Sequence, residues 1–321
     1  MAQLVVIVLL IVALWIPVFI SHVSEVAVGS PITPCYNLFA RIFGSSSLAL
    51  TIFTFVVFCV SVLLFNSVLS VNQLVTRNSS IGAFIFVLCM NFVPIQEEFY
   101  PFLLACPFIM MALQTVYLIY QIEKPEAYLM NTGFFISMAS MFYFPSIVLI
   151  IWVLLAMLVL DVKQPKQYLI PIIGCLFPYF LLFVCFYFDH SLIENFRAYS
   201  LAFNEIGLEK LGGQASVIVV VMIALVMTWL SLMVVLSDKF DNSVATRKKV
   251  DVTIWLFVFA FIMLFLQKPV MSNGLIFMVL SVFVSMALCY IKKTKIIDIV
   301  IIVIMLAVIV NQYLPLFGIK L

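Results

Sequence analysis

Charge is what this chain has least of. Asp, Glu, Lys and Arg together make up 9% of its 321 residues, against about 25% in an ordinary soluble domain. Histidine is nearly absent, with two, and glycine is sparse, with 10. Hydrophobic residues make up 66% and the mean hydropathy is +1.29. A soluble fold of this length cannot hide that much apolar surface. The shortage of charge therefore excludes a soluble enzyme, a disordered chain and a secreted disulfide scaffold. The net charge is +2, and no basic block is large enough to hold nucleic acid. Of seven cysteines, only Cys35 sits in a polar stretch. The other six fall inside apolar runs and read as small buried hydrophobes. No pair has metal-ligand spacing. A nucleotide-binding glycine loop, HExxH, GxSxG and CxxC are all missing from the sequence, so none of those chemistries is indicated.

What is present is a series of long apolar runs. They are continuous and do not alternate every second residue, so a β-barrel does not fit. The fold class is all-α, a polytopic transmembrane helical bundle. Eleven candidate spans are legible: Leu4–Ile20, Leu48–Leu69, Ile81–Ile95, Phe102–Gln121, Leu129–Phe144, Pro145–Leu160, Leu169–Phe188, Ser216–Leu236, Val252–Leu266, Gly274–Tyr290 and Ile296–Leu316. The third, fifth, sixth and ninth fall below the usual crossing length. Leu129–Leu160 reads as two short helices with a turn at Phe144-Pro145, because proline disfavours helix in the residue before it. One long kinked helix there is the alternative, and it would flip everything downstream. The first run reads as a retained signal anchor, with a removed signal peptide as the other reading. The whole chain, 1–321, forms one integral membrane domain. It divides into a seven-span part over 1–188, an outer loop over 189–215 and a four-span part over 216–321.

Basic residues in the connections give the orientation. Eleven of the 16 Lys and Arg follow even-numbered spans and five follow odd-numbered ones. The even connections are therefore expected in the cytoplasm, with the N-terminus inside and the C-terminus outside. Acids split seven and seven, so the outer face is relatively acidic only because it is poor in basic charge. No charged residue sits near the centre of a span, which argues against an ion-coupled or proton-coupled transporter. Gln114, the most central large polar residue, suits an interhelical hydrogen bond. Gly133, Ser137 and Ser140 form a small-residue stripe for close helix contact.

The outer face carries the candidate chemistry. Its first loop, 21–47, holds His22, Glu25 and Cys35, then Leu38, Arg41 and Ile42 with Phe39 and Phe43 in a surface-helix pattern. Glu25 is the only acid in that loop. It reads either as a solvated or capping carboxylate, or as a general base or metal ligand just above the bilayer. The next outer loop sets Glu97 and Glu98 between Pro94 and Pro101. Those two could hold a divalent cation or a sugar hydroxyl, or simply begin the next helix, where negative charge is favoured. The long outer loop starts at Asp189-His190 and includes Arg197, which suits a lipid phosphate. Lys268 is a second cation on the same face. Acids and bases over an apolar chamber suit an isoprenoid-phosphate sugar, with its long tail, anionic head and hydroxyl-rich sugar.

The stretch from Met130-Asn131-Thr132-Gly133 to Tyr143-Phe144-Pro145, with Tyr168-Leu169-Ile170-Pro171 and Pro178-Tyr179-Phe180, resembles a family of Bacteroidota inner-membrane proteins with no assigned activity. The resemblance implies a multi-pass protein of the bacterial inner (cytoplasmic) membrane. More distantly, the layout is similar to the integral-membrane glycosyltransferases of the C-type fold. The shared features are one span, a long outer loop ending near Phe43-Gly44, a hairpin of spans around Arg77, a short acidic outer loop, and Gly133–Ala139. That resemblance implies a polyprenyl-phosphate-linked sugar as substrate, Glu25 as catalytic base, and Glu97 or Glu98 as the second acid. The chain departs from that pattern in having no Asp in its first outer loop and no large outer domain. Two other readings therefore stand beside the enzyme: a flippase or transporter of an amphipathic lipid, and a non-catalytic scaffold of an envelope or glycosylation complex. Membrane lipid is the expected partner in each.

Overall fold

The computed structural model describes residues 2–20, 47–75, 80–92, 100–120, 122–188, 231, 233, 243–266, 274–290 and 294–313. Among them every regular element is helical. In chain order these are α1 (Ala2–Ile20), α2 (Ser47–Val71), α3 (Ile81–Met90), α4 (Tyr100–Ile119), α5 (Glu126–Phe142), α6 (Leu149–Val159), α7 (Ile170–Phe188), α8 (Val244–Leu266), α9 (Leu275–Tyr290) and α10 (Thr294–Tyr313). Two 3-10 segments, Phe144–Val148 and Pro165–Leu169, lead into α6 and α7. Three stretches, Leu48–Val71, Pro101–Ile119 and Pro165–Phe188, are long and apolar enough to cross a membrane by length and composition, as expected of a membrane protein.

Ten of the eleven apolar runs are occupied by these helices. The eighth, Ser216–Leu236, lies outside the described residues apart from Ser231 and Met233, both helical. The third run stops earlier than its hydropathy suggests. α3 ends at Met90, where Asn91 turns back and its side-chain amide donates to Val87 O at 2.8 Å. The Asn91 backbone N–H also donates to Val87 O, at 3.2 Å, so that carbonyl closes the helix with two bonds.

The apolar run Leu129–Leu160 is two helices. Tyr143 is extended, with φ −134° and ψ 91°, and the 3-10 turn then opens on Phe144-Pro145. Glu126, at the start of α5, accepts from Gln167 at 3.1 Å. Lys248 holds Asp161, just past α6, and lies 5.7 Å over the Tyr120 ring, just past α4. The start of α5 and the end of α6 are therefore at the same end of the bundle, and the chain reverses between them.

The same reasoning orders the rest. The turn after α2 meets α4 and the start of α8, because Asn72 bonds both Gln114 and Lys249. At the other end, Asn311 and Gln312 of α10 donate to Phe92 O and Asn91 O at 2.8 and 2.9 Å. Described helices thus alternate in direction from α1 to α7 and again from α8 to α10, while α7 and α8 both start at the same end. One end gathers the connections after α2, α4 and α6 with the start of α8. We call it the basic end.

The most deeply buried helices are α4 and α9, in which nearly every residue from Phe102 to Tyr117 and from Leu275 to Met286 is buried. α1, α2 and α3 join through rings. Trp15 meets Phe55 edge-on at 5.3 Å, and Phe58 and Phe65 both stack on Phe86. α7 is the opposite case. It exposes Ile173, Leu176, Phe180 and Phe183 and buries only the face carrying Pro171, Gly174, Cys175 and Pro178.

That face lies against α5 at backbone range. A Cβ on Gly133 would overlap Pro171 O and come within 2.9 Å of Cys175 N. A Cβ on Gly174 would overlap Met130 O. One turn further on, Ser140 Oγ and the Tyr179 hydroxyl share a hydrogen bond of 2.7 Å. The small-residue stripe read from the sequence is thus a helix–helix contact. Gly82 differs, because its nearest neighbour is the flexible Leu69 side chain at 2.9 Å. We expect Gly133→Ala and Gly174→Ala each to destabilise the bundle by about 1–3 kcal/mol, the usual cost of overpacking. Gly82→Ala should cost less. Unfolding of the purified protein in detergent measures the difference, and equal losses at all three positions would refute the backbone-contact account.

Candidate functional site

Every site residue expected from the sequence lies outside the described residues: His22, Glu25, Arg41, Glu97, Glu98, His190, Arg197 and Lys268. Their flanking helix ends are described. Ile20, Phe92, Tyr100, Phe188 and Leu266 all belong to the end opposite the basic end, given the directions of their helices.

The described residues build a different polar centre, at the basic end. Its foundation is a pair of helix terminations. α2 closes with Leu74 N donating to Leu69 O at 3.0 Å and Gln73 N to Ser70 O at 3.3 Å. α6 closes in the same way, with Val162 N to Met157 O at 3.1 Å and Asp161 N to Leu158 O at 3.2 Å. Both are Schellman motifs, which need a left-handed residue just past the helix. Here those residues are Gln73 and Asp161, each at φ 58°, where glycine is usual.

The terminations place two polar groups. Asn72, the residue before Gln73, is buried. Its amide nitrogen donates to Val68 O at 2.8 Å and to Gln114 Oε1 at 2.6 Å. With the nitrogen committed, its oxygen faces Lys249 and accepts from that ammonium at 3.0 Å. Asp161 receives Lys248, which also donates to Val159 O at 2.9 Å, one of the last carbonyls of α6. A cation at a helix C-terminus complements the dipole there. Asp161 is 69% exposed, so the ion pair itself contributes little.

α8 carries both lysines because it is anchored deeper in the bundle. Ser243 caps its first turn, accepting from Thr246 N at 3.3 Å. The Tyr117 hydroxyl meets Thr253 Oγ1 at 2.6 Å, and Trp152 Nε1 donates to Val252 O at 3.1 Å. The two lysines then differ in their surroundings. Lys248 has a carboxylate, a carbonyl and a ring. Among the described residues, Lys249 has one neutral amide oxygen. Burial holds its ammonium below the usual lysine value.

Gln114 was visible in the sequence as a candidate interhelical donor or acceptor, and it accepts from Asn72. Asn72 and the special role of Lys249 were not visible. Lys249 looked like one basic loop residue among several. The available signal was its position four residues before Thr253, on the α8 face that meets α4. Among the described residues no group of three or more His, Cys, Asp or Glu could hold a metal ion.

Comparison with protein-family models, with curated proteins and with solved structures finds no match for this chain.

Two outcomes follow from this centre. Gln73→Gly should stabilise the protein by about 1 kcal/mol by relieving the left-handed strain, read as a higher denaturant midpoint. The lysine yields a pH dependence. The unfolded chain keeps the Lys249 proton up to about pH 10.4, whereas the folded chain releases it sooner. In that alkaline window the unfolded state binds more protons, so this group makes stability rise with pH. Lys249→Met should remove the rise. An unchanged alkaline profile would show that Lys249 is not desolvated in the folded protein.

Proposed function

We propose that this chain is a multi-pass inner-membrane protein that handles a lipid-linked sugar at its outer face, with a C-type glycosyltransferase-like core. One observation carries the reading. The helix ends that enter the loops bearing Glu25, Glu97 and Glu98, His190 and Arg197, and Lys268 belong to one end of the bundle. The loops that carry these groups are spread over 244 residues of sequence, from Glu25 to Lys268, yet they leave the described helices at one end, which supports a single site. The exposed apolar sides of α2 and α7 give a polyprenyl tail a surface to lie on.

The chemistry is a glycosyl transfer. Glu25 accepts the proton of an acceptor hydroxyl, whose oxygen bonds to the anomeric carbon of the sugar. The bond from that carbon to the phosphate oxygen breaks, and polyprenyl phosphate leaves with the electron pair. Arg197 or Lys268 balances the phosphate charge. Glu97 and Glu98 orient sugar hydroxyls or hold a divalent cation.

General-base catalysis contributes about 10²–10⁴-fold, so Glu25→Gln should reduce transfer by that factor at normal protein level. Glycan profiling of the envelope in a deletion strain carrying each variant measures this. If Glu25, Glu97 and Glu98 are each replaced without effect and deletion instead lowers partner abundance, the chain is a scaffold and the enzymatic reading is lost.

A further inference from the structure

We infer that Lys249, in the notch between the end of α2, α4 and the start of α8, binds the phosphate of an anionic phospholipid headgroup at the basic end of the bundle. The inference is independent of the sugar chemistry proposed for the other face. It rests on three observations.

The first is an imbalance of charge. Arg247, Lys248 and Lys249 are consecutive in the opening turns of α8, which has no acidic residue in its first turn. A helix N-terminus carries positive partial charge and disfavours cations. Lys248 escapes that field toward Asp161 and the end of α6. Lys249 is partly buried, and among the described residues its one hydrogen-bond partner is an uncharged amide oxygen. A partly buried charge without an opposite charge is costly. Asp251 does not relieve it, since two residues along a helix is about 200° around the axis.

The second is that the notch is rigid. Asn72 is 1% exposed and both of its donated bonds are taken, by Val68 O and Gln114. Its oxygen is aimed at the ammonium and fixes it. An ammonium has three N–H groups, so two are left unused by the described residues.

The third is a path for an acyl chain. α2 exposes Ile52, Val56, Val60, Leu63 and Val71, a stripe at helical spacing along its full length. The stripe ends at the turn that holds Asn72. A lipid lying along it brings its phosphate to the level of Lys249.

The test uses the full-length protein in liposomes of equal phosphatidylglycerol and phosphatidylcholine. Lipid retained after gentle extraction is counted by native mass spectrometry. Wild type should keep phosphatidylglycerol in preference to phosphatidylcholine. One lysine near a membrane surface is worth about fivefold in binding. Lys249→Gln should lose about that factor, Lys249→Arg should keep it, and Lys163→Gln, an exposed lysine at the same end, should not matter. Asn72→Asp guards against a folding defect. It gives the ammonium an internal carboxylate, so the protein should stay folded and lose the headgroup preference. Equal retention by wild type, Lys249→Gln and Asn72→Asp overturns the inference. So does full displacement of the phosphatidylglycerol from the mixed liposomes by millimolar inorganic phosphate, which would make soluble phosphate the ligand.

Discussion

Between two apolar helices in lipid there is no water to expel, so association depends on how closely backbones approach and on what polar bonds they share. The contact of α5 with α7 satisfies both conditions, and much of the basic end depends on it. Gly133 and Gly174 let the backbones meet, each taking the space where the other helix's carbonyl lies. Ser140 and Tyr179 add a hydrogen bond one turn further on. α7 has no other broad packing face, since its remaining sides are exposed and apolar. Its seat on α5 sets Gln167 beside Glu126. It also fixes where the segment after α6 runs, and so where Asp161 stands to receive Lys248. Loosening the glycine pair would loosen the ion pair, although no side chain links them directly.

The rest of the bundle uses polar groups sparingly and at helix ends. In lipid an unpaired amide is expensive, and the ends are where helices leave four groups unpaired. Each end solves this with side chains from distant helices. Asn66 accepts from Ala83 N at the start of α3, and Asn311 with Gln312 covers the carbonyls past its end. Such bonds fix depth as well as satisfying backbone groups. They hold α3, only 10 residues long, in register with longer neighbours. A short helix would otherwise slide until its ends found partners.

Much of this was legible in the sequence, for identifiable reasons. Hydropathy located the helices because lipid demands long apolar runs, and every run with described residues is helical. Proline and the charge pattern located the reversal between α5 and α6, since Pro145 disfavours helix at Phe144 and the basic connections then fall on one side. The small stripe at Gly133 was visible because glycine in an apolar helix has few roles other than close contact. Three features were hidden. α3 ends at Met90, inside its apolar run, which apolar counting does not see. The caps of α2 and α6 use Gln73 and Asp161, where turn chemistry points to glycine. The notch at Lys249 unites Asn72, Gln114 and Lys249, whose proximity follows from tertiary packing alone. The acids singled out on the outer face lie outside the described residues, so for that site the sequence and the helix directions carry the argument.

The two ends of the bundle therefore face different demands. At the end opposite the basic end, the loops that carry the proposed site are entered from several helices. Rigidity there must come from below, from the ring-packed helices α1, α2 and α3 and from the buried α4. At the basic end the groups sit on the helices themselves and are fixed by hydrogen bonds of 2.6 to 3.0 Å. α4 connects the two. It begins beside the loop of Glu97 and Glu98 and ends beside Gln114 and Tyr117. It is buried along nearly its whole length, so it cannot shift at one end without repacking at the other. A phosphate seated at Lys249 acts on the partners of Asn72 and Gln114, and so on the end of that same helix. A lipid bound at the basic end would thereby help to hold α4 in place along its length.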